Sequence, residues 1–149
     1  MTTTEQYIRS NRQRRNAKTG NISEEHVIAL LRRHGYKRVE AIERAWIIKR
    51  AGGKIISAIP KKKVSGDIKA MTKDGKIVHV EVKCRQEKLL YSDFEKHQVE
   101  ALSDVVKYNG IAFAAWYRNP YEIVLLRWPI KGFGPRKSIT WEQAKQWSI

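Results

Sequence analysis

Three segments of the chain carry apolar residues at the spacing of an amphipathic α-helix. The first helix is predicted over Asn21–His34 and ends at Gly35, because glycine readily adopts the left-handed conformation that closes many helices. The second is predicted over Phe94–Lys107 and stops at the Asn-Gly pair that follows. A short third helix is predicted over Thr140–Trp147.

Short apolar runs bounded by turn residues predict six β-strands. They are Ala45–Arg50, Lys54–Ile59, Asp67–Met71, Ile77–Cys84, Ile111–Tyr117 and Glu122–Trp128. The turns are predicted at Gly52-Gly53, Lys73–Gly75 and Asn119-Pro120. A helix over Val39–Lys49 is the alternative to the first of these strands. The order of the elements predicts an α/β fold, in which one mixed central sheet is flanked by helices.

Length and composition fit one folded domain. The chain has 149 residues, of which 42% are hydrophobic, and this is enough for a single core. Residues 1–20 are basic and poor in apolar side chains, so we predict a flexible basic arm over 1–20 and one domain over 21–149. No apolar run approaches the roughly 20 residues that span a bilayer, and the N-terminal segment lacks the apolar core of a secretory signal. The single cysteine excludes an internal disulfide and a zinc cage of cysteines. We therefore expect a cytoplasmic protein with no membrane partner.

The charge of the chain indicates a polyanionic partner. Thirty Lys and Arg residues against fifteen Asp and Glu residues give a net charge of +15. Such an excess on a small domain favours nucleic acid, with high solubility or an acidic protein partner as alternatives. The cationic side chains that we expect to contact the DNA backbone are Arg12, Arg14, Arg15, Lys61, Lys62, Lys63 and Arg85. A solvated tail without a role is the alternative for the N-terminal arm.

Polar residues recur on one face of the predicted strand Ile77–Cys84. Because side chains alternate along a strand, His79, Glu81 and Lys83 share the face opposite the valines. The preceding strand begins at Asp67, and a short hairpin brings its carboxylate near that of Glu81. Two adjacent carboxylates repel each other unless a cation lies between them, and oxygen ligands suit Mg²⁺ or Mn²⁺. The alternative is a solvent-facing strand with a cross-strand ion pair.

Glu24 is a candidate third acidic group. The apolar stripe of the first helix centres within about 40° of Glu24, so this carboxylate lies on the core side of the first turn. One explanation is a capping box between Asn21 and Glu24. The other is that Glu24 reaches from the helix toward the same metal ion.

The residues Asp67, Glu81 and Lys83 resemble the signature of the PD-(D/E)XK nucleases. In that signature an Asp begins one strand, and a Glu-x-Lys or Asp-x-Lys triplet lies on the next. Gly66 stands here where the family name has a proline. The resemblance implies a restriction-endonuclease-like fold.

Within this superfamily the chain is most similar to Holliday junction resolvases. SEEHVIALLRRHGY (Ser23–Tyr36) resembles the first helix of the archaeal type, in which an acidic first-turn residue precedes a Leu pair and a Gly-aromatic pair. Glu24 matches that acidic residue. FEKHQVEAL followed by NGIAF resembles the bacterial type, and Gln98 matches its helix glutamine. The resemblance covers about Gly20 to Phe113.

The resemblance implies a metal-dependent phosphodiesterase. Asp67 and Glu81 would hold Mg²⁺, for which Mn²⁺ could substitute, together with the carbonyl oxygen of Val82. Glu24 would bind the metal directly or through water.

The resemblance also assigns roles to Lys83 and Gln98. Lys83 would position the attacking water, and Gln98 would hold Lys83 or that water in place. Resolvases of this kind act as homodimers that nick four-way DNA junctions symmetrically, in the cytoplasm of a prokaryote or of a virus-infected host. A nuclease acting on linear duplex DNA and a non-catalytic DNA-binding protein on the same fold are the alternatives.

Overall fold

A five-stranded mixed sheet forms the centre of the computed structural model, which describes residues 22–42, 46–60 and 67–149, with only the backbone for 46–50 and 55–60. We label the helices α1 (22–33), α2 (Lys96–Lys107) and α3 (Trp141–Trp147), with a 3₁₀ turn at Tyr91–Asp93. The strands are β1 (Lys37–Ala41), β2 (Trp46–Ala51), β3 (Lys54–Pro60), β4 (Ile68–Met71), β5 (Ile77–Cys84), β6 (Lys88–Leu90), β7 (Ile111–Asn119), β8 (Glu122–Arg127) and β9 (Ser138–Thr140).

The central sheet has the order β1-β4-β5-β7-β8. Only β5 and β7 are parallel, and α2 makes the crossover between them that a parallel pair requires. The other neighbouring pairs are antiparallel. The β2–β3 hairpin and the β6–β9 pair are separate two-stranded sheets. The fold is therefore α/β, with a mixed sheet flanked by helices.

The sheet is buried on both faces in its central strands. On one face, α1 packs through Val27 and Leu31 against Val78 and Val80. On the other, Leu102 of α2 and residues of the α3 region pack around Trp116 and its neighbours. Strand β7 supplies side chains to both clusters, which explains its unbroken apolar sequence IAFAAWY.

The structure confirms the predicted helices and most of the strands. The helix at Trp141–Trp147 begins with the capping box that the Thr140 and Gln143 spacing predicts. The second helix begins at Lys96, not at Phe94, because the chain first makes the 3₁₀ turn and Phe94 is extended and buried. The β4–β5 turn lies where predicted, and Gly75 has a φ of 89°.

Three expectations about the strands need correction. The alternative helix over Val39–Lys49 is wrong, because the described residues of that range lie in β1 and β2. Strand β1 was not predicted, since only Val39 of its five residues is buried. Strands β6 and β9 were not predicted either. The β6–β9 pair and the β2–β3 hairpin are separate from the central sheet, so the described residues form three sheets and not one.

Among the residues that the structure describes, no helix is long and apolar enough to cross a membrane. The predicted arm over 1–20 lies outside the described residues.

Candidate active site

The backbone on both sides fixes the position of Asp67. Its N–H donates to Val80 O at 3.0 Å, and its carbonyl accepts from Ile42 N at 3.0 Å. Its Oδ2 accepts from Val82 N at 2.8 Å. The carboxylate therefore lies beside β5 at the level of Glu81. In an extended strand the N–H and C=O of one residue point to the same edge, so the Val82 carbonyl also faces Asp67.

Glu81 is 1% exposed although it is a carboxylate. It points to the α2 side of β5, and its parallel partner Ala114 is small and fully buried. A buried carboxylate is costly unless cations or hydrogen-bond donors compensate its charge. Glu81 therefore does not belong to a solvent-facing strand, and that alternative for the polar face of β5 is wrong at this position.

Lys83 lies on the same face of β5 as Glu81, two residues further along. Its Nζ donates to Gln98 Oε1 at 2.9 Å and lies 5.1 Å from the centre of the Phe94 ring. Burial lowers the pKa of the Lys83 ammonium below its ordinary value, and the nearby charge of Arg85 acts in the same direction. The carboxylates of Glu81, Asp67 and Asp93 partly offset this shift. Lys83 is thus a partly desolvated cation near three carboxylates.

The start of α2 sets the position of Gln98. Gln98 is the third residue of the helix, and its Oε1 accepts from Glu95 N at 2.9 Å as part of a capping box. The same oxygen accepts the bond from Lys83. One amide oxygen therefore both caps the helix and orients the lysine.

Glu24 lies at the same end of the sheet as Lys83. The ring of His26, half a turn further along α1, stacks on Tyr117 at 6.1 Å, and Tyr117 pairs with Cys84 at the end of β5. Glu24 is half-buried. Asn21, its partner in the alternative capping box, lies outside the described residues.

In the described part of the chain, no three His, Cys, Asp or Glu side chains form a group that could hold one metal ion. The structure thus brings Asp67, Glu81 and Lys83 together but does not add Glu24 to a three-residue metal cage. Mg²⁺ is commonly held by one or two carboxylates, with waters and substrate phosphates completing its coordination. The oxygens of Asp67, Glu81 and the Val82 carbonyl therefore fit Mg²⁺ as a donor set.

The predicted DNA contact Arg85 is bound within the protein. Its Nε lies 3.1 Å from Asp93 Oδ1, and its Nη1 donates to Cys84 O at 2.8 Å. The described residues engage two of its five N–H groups. The other expected DNA contacts lie outside the described residues; they are Arg12, Arg14, Arg15, Lys61, Lys62 and Lys63.

Sequence reasoning missed Asp93 and Phe94. Asp93 caps the 3₁₀ turn by accepting from Leu90 N at 2.8 Å, and it pairs with Arg85 next to Lys83. Phe94 supplies the ring beneath the lysine. The acidic residue just before a predicted helix was the available signal, but the 3₁₀ turn that aims it toward β5 has no clear pattern in the sequence.

No protein-family model matches this sequence, and no curated protein matches it. The resemblance to PD-(D/E)XK nucleases therefore depends on the motif residues.

Proposed function

We propose that this protein is a metal-dependent DNA endonuclease with a restriction-endonuclease-like fold, and specifically a Holliday junction resolvase. The observation that carries the proposal is the arrangement at β5. The Asp67 carboxylate is hydrogen-bonded to the Val82 peptide, the preceding residue Glu81 is buried, and Lys83 is held by Gln98. A surface ion pair does not require this burial or this third residue.

Each residue of the candidate site would have a distinct role in hydrolysis. Asp67, Glu81 and the Val82 carbonyl would hold Mg²⁺ or Mn²⁺, which supplies positive charge to the phosphate and acidifies water. Lys83 would orient the attacking water and stabilise the charge that develops on the phosphate oxygens. Gln98 would keep the Lys83 ammonium in place, because a misplaced group loses much of its catalytic effect.

Charge and symmetry extend the proposal to the substrate. A net charge of +15 favours a DNA partner. A homodimer with two such sites would nick two strands of a four-way junction symmetrically. The protein would act in the cytoplasm of a prokaryote or of a virus-infected host.

The test uses a labelled four-way junction and a linear duplex with the same arm sequence. Each is incubated with the protein in Mg²⁺ and in EDTA. We expect symmetric nicks in the junction alone, and only with Mg²⁺. Equal cutting of both DNAs would contradict junction selectivity and favour a nuclease for linear duplex. Binding without cutting in Mg²⁺ and in Mn²⁺ would contradict the enzyme and favour the non-catalytic alternative.

A further inference from the structure

A cavity of 390 Å³ lies along strand β1 and is lined by cationic side chains. Arg32 comes from α1, and Lys37 and Arg38 come from β1. Tyr36 and Glu40 also line it. All three cations are exposed, so an anion can reach them without first displacing protein.

A β-bulge directs two consecutive cations to this cavity. Lys37 pairs with Met71, but Glu40 pairs with Lys69, so β1 has one more residue than β4 across this stretch. Arg38 has a φ of 49°, which is uncommon for a residue other than glycine. In a regular strand, neighbouring side chains point to opposite faces. The bulge breaks this alternation, so Lys37 and Arg38 both line the cavity.

Among the described residues, contacts within the protein leave the positive charge in excess. Arg32 Nη2 donates to Val39 O at 3.1 Å, which fixes the guanidinium, and this bond uses one of its five N–H groups. The carboxylate that lines the cavity, Glu40, lies 3.5 Å from Lys69 and is partly neutralised. Two guanidinium groups and an ammonium around one cavity suit a phosphate, since one guanidinium group can donate two parallel hydrogen bonds to two phosphate oxygens.

The cavity lies beside the candidate active site along β1. It is lined by Lys37–Glu40, and Ile42, two residues after Glu40, donates its N–H to Asp67 O at 3.0 Å. The cationic cluster and Asp67 are therefore connected through one strand.

We infer that Arg32, Lys37 and Arg38 form a second phosphate site, which binds the backbone of a DNA arm beside the candidate active site. This inference rests on the proposed function. The cluster would then fix the direction in which the DNA arm leaves the active site. Phosphate contacts of this kind set position and affinity and do not read sequence.

The experiment compares charge-removing variants with a matched control. One variant is Lys37→Gln with Arg38→Asn, because asparagine tolerates positive φ and keeps the bulge. The second is Arg32→Gln. The control is Lys131→Gln with Lys145→Gln, which removes two exposed lysines elsewhere. Thermal unfolding of each variant checks the fold. Junction binding is measured by fluorescence anisotropy in EDTA at several KCl concentrations.

Each lost phosphate contact lowers the salt slope of the binding constant by about 0.9. We expect the slope to fall by about 2 in the double variant and by about 1 in Arg32→Gln, with the control unchanged. Affinity of the double variant near 0.2 M KCl falls on the order of tenfold. Neutral methylphosphonates placed singly at two to six nucleotides from the mapped nick should weaken wild-type binding at the position that contacts the cluster, and this weakening should be absent in the double variant.

The outcomes separate this inference from the proposed function. A double variant with wild-type slope would overturn the phosphate site, even if the wild type nicks junctions. A wild type that binds the junction but never nicks it would overturn the nuclease, and the slope comparison would still decide the cluster. A methylphosphonate profile that is the same in the wild type and in the double variant would also overturn the phosphate site.

Discussion

Replacing Gln98 by alanine removes two hydrogen bonds that a single oxygen accepts. Gln98 Oε1 caps α2 through Glu95 N and binds Lys83 Nζ, both at 2.9 Å. Loss of a helix cap costs about 1 kcal/mol, and a hydrogen bond to a charged group contributes about 1.5–3 kcal/mol. The variant Gln98→Ala should therefore lose about 2.5–4 kcal/mol of unfolding free energy.

A second background isolates the bond to the lysine. Lys83→Met keeps an unbranched stem but has no ammonium to donate. In that background Gln98→Ala should cost only about 1 kcal/mol, which leaves a coupling energy of about 1.5–3 kcal/mol between the two positions. Urea unfolding of the four proteins gives this value directly, provided that the m-value stays constant.

The chain contains a matched control for the cap. Gln143 is also the third residue of its helix, and its Oε1 accepts from Thr140 N at 3.0 Å. No lysine bond to this oxygen is present in the described residues. Gln143→Ala should cost about 1 kcal/mol in both the wild-type and the Lys83→Met backgrounds. Equal costs of Gln98→Ala in the two backgrounds, within about 0.5 kcal/mol, would refute the idea that Gln98 holds the lysine.

Three further predictions concern packing, protonation and metal binding. Gly110→Ala would put a methyl group 2.6 Å from Val105 Cγ1 and 3.0 Å from Ile77 O. We therefore expect a Tm lower by about 4–10 °C in calorimetry. The control Gly134→Ala, which has nothing within 4 Å of the added methyl group, should unfold at a temperature close to that of the wild type. Burial lowers the pKa of His79 below its ordinary value of 6.5, so the unfolded chain binds more protons there as the pH falls. The wild type should therefore lose stability relative to His79→Gln between about pH 7 and about pH 5, and a constant difference in urea unfolding would contradict this. Mg²⁺ at about ten times its Kd should stabilise the wild type by about 1.4 kcal/mol, a Tm rise of about 3–6 °C that Asp67→Asn should abolish.

The sequence predicts those elements in which buried and polar residues recur at a regular spacing. Val78 and Val80 alternate with polar residues, and both are fully buried, as the alternation predicts for β5. Strand β1 shows why other elements were missed. Val39 is its single buried residue, and the bulge at Arg38 interrupts the two-residue period that reveals a strand. A two-residue pattern cannot be recognised in five residues with one buried side chain.

The candidate site shows the same contrast between features that are local in sequence and contacts that join distant parts of the chain. The hairpin turn and the alternation of β5 predict that Asp67 lies near Glu81, because both features are local in sequence. The Lys83–Gln98 bond joins residues fifteen positions apart, and only the family resemblance implied a role for Gln98, as holding either Lys83 or the water. Burial of Glu81 depends on α2 and on Ala114 of β7, which are distant in sequence. Strand alternation assigns Glu81 to a face of the sheet, but it cannot show that another element covers that face.

Cleavage by Asp67→Asn tests the central claim most directly. Asparagine keeps an oxygen that can accept from Val82 N–H, so the fold is retained while one carboxylate charge is lost. The control is Asp74→Asn, an exposed position in the turn between β4 and β5. With junction DNA saturated by protein in Mg²⁺, we predict that Asp67→Asn nicks about 10³-fold more slowly or not at all, a loss of about 4 kcal/mol of transition-state stabilisation. Asp74→Asn should cut at the wild-type rate. If Asp67→Asn cuts as fast as the wild type, Asp67 does not belong to the active site, and the proposed metal-dependent mechanism is wrong.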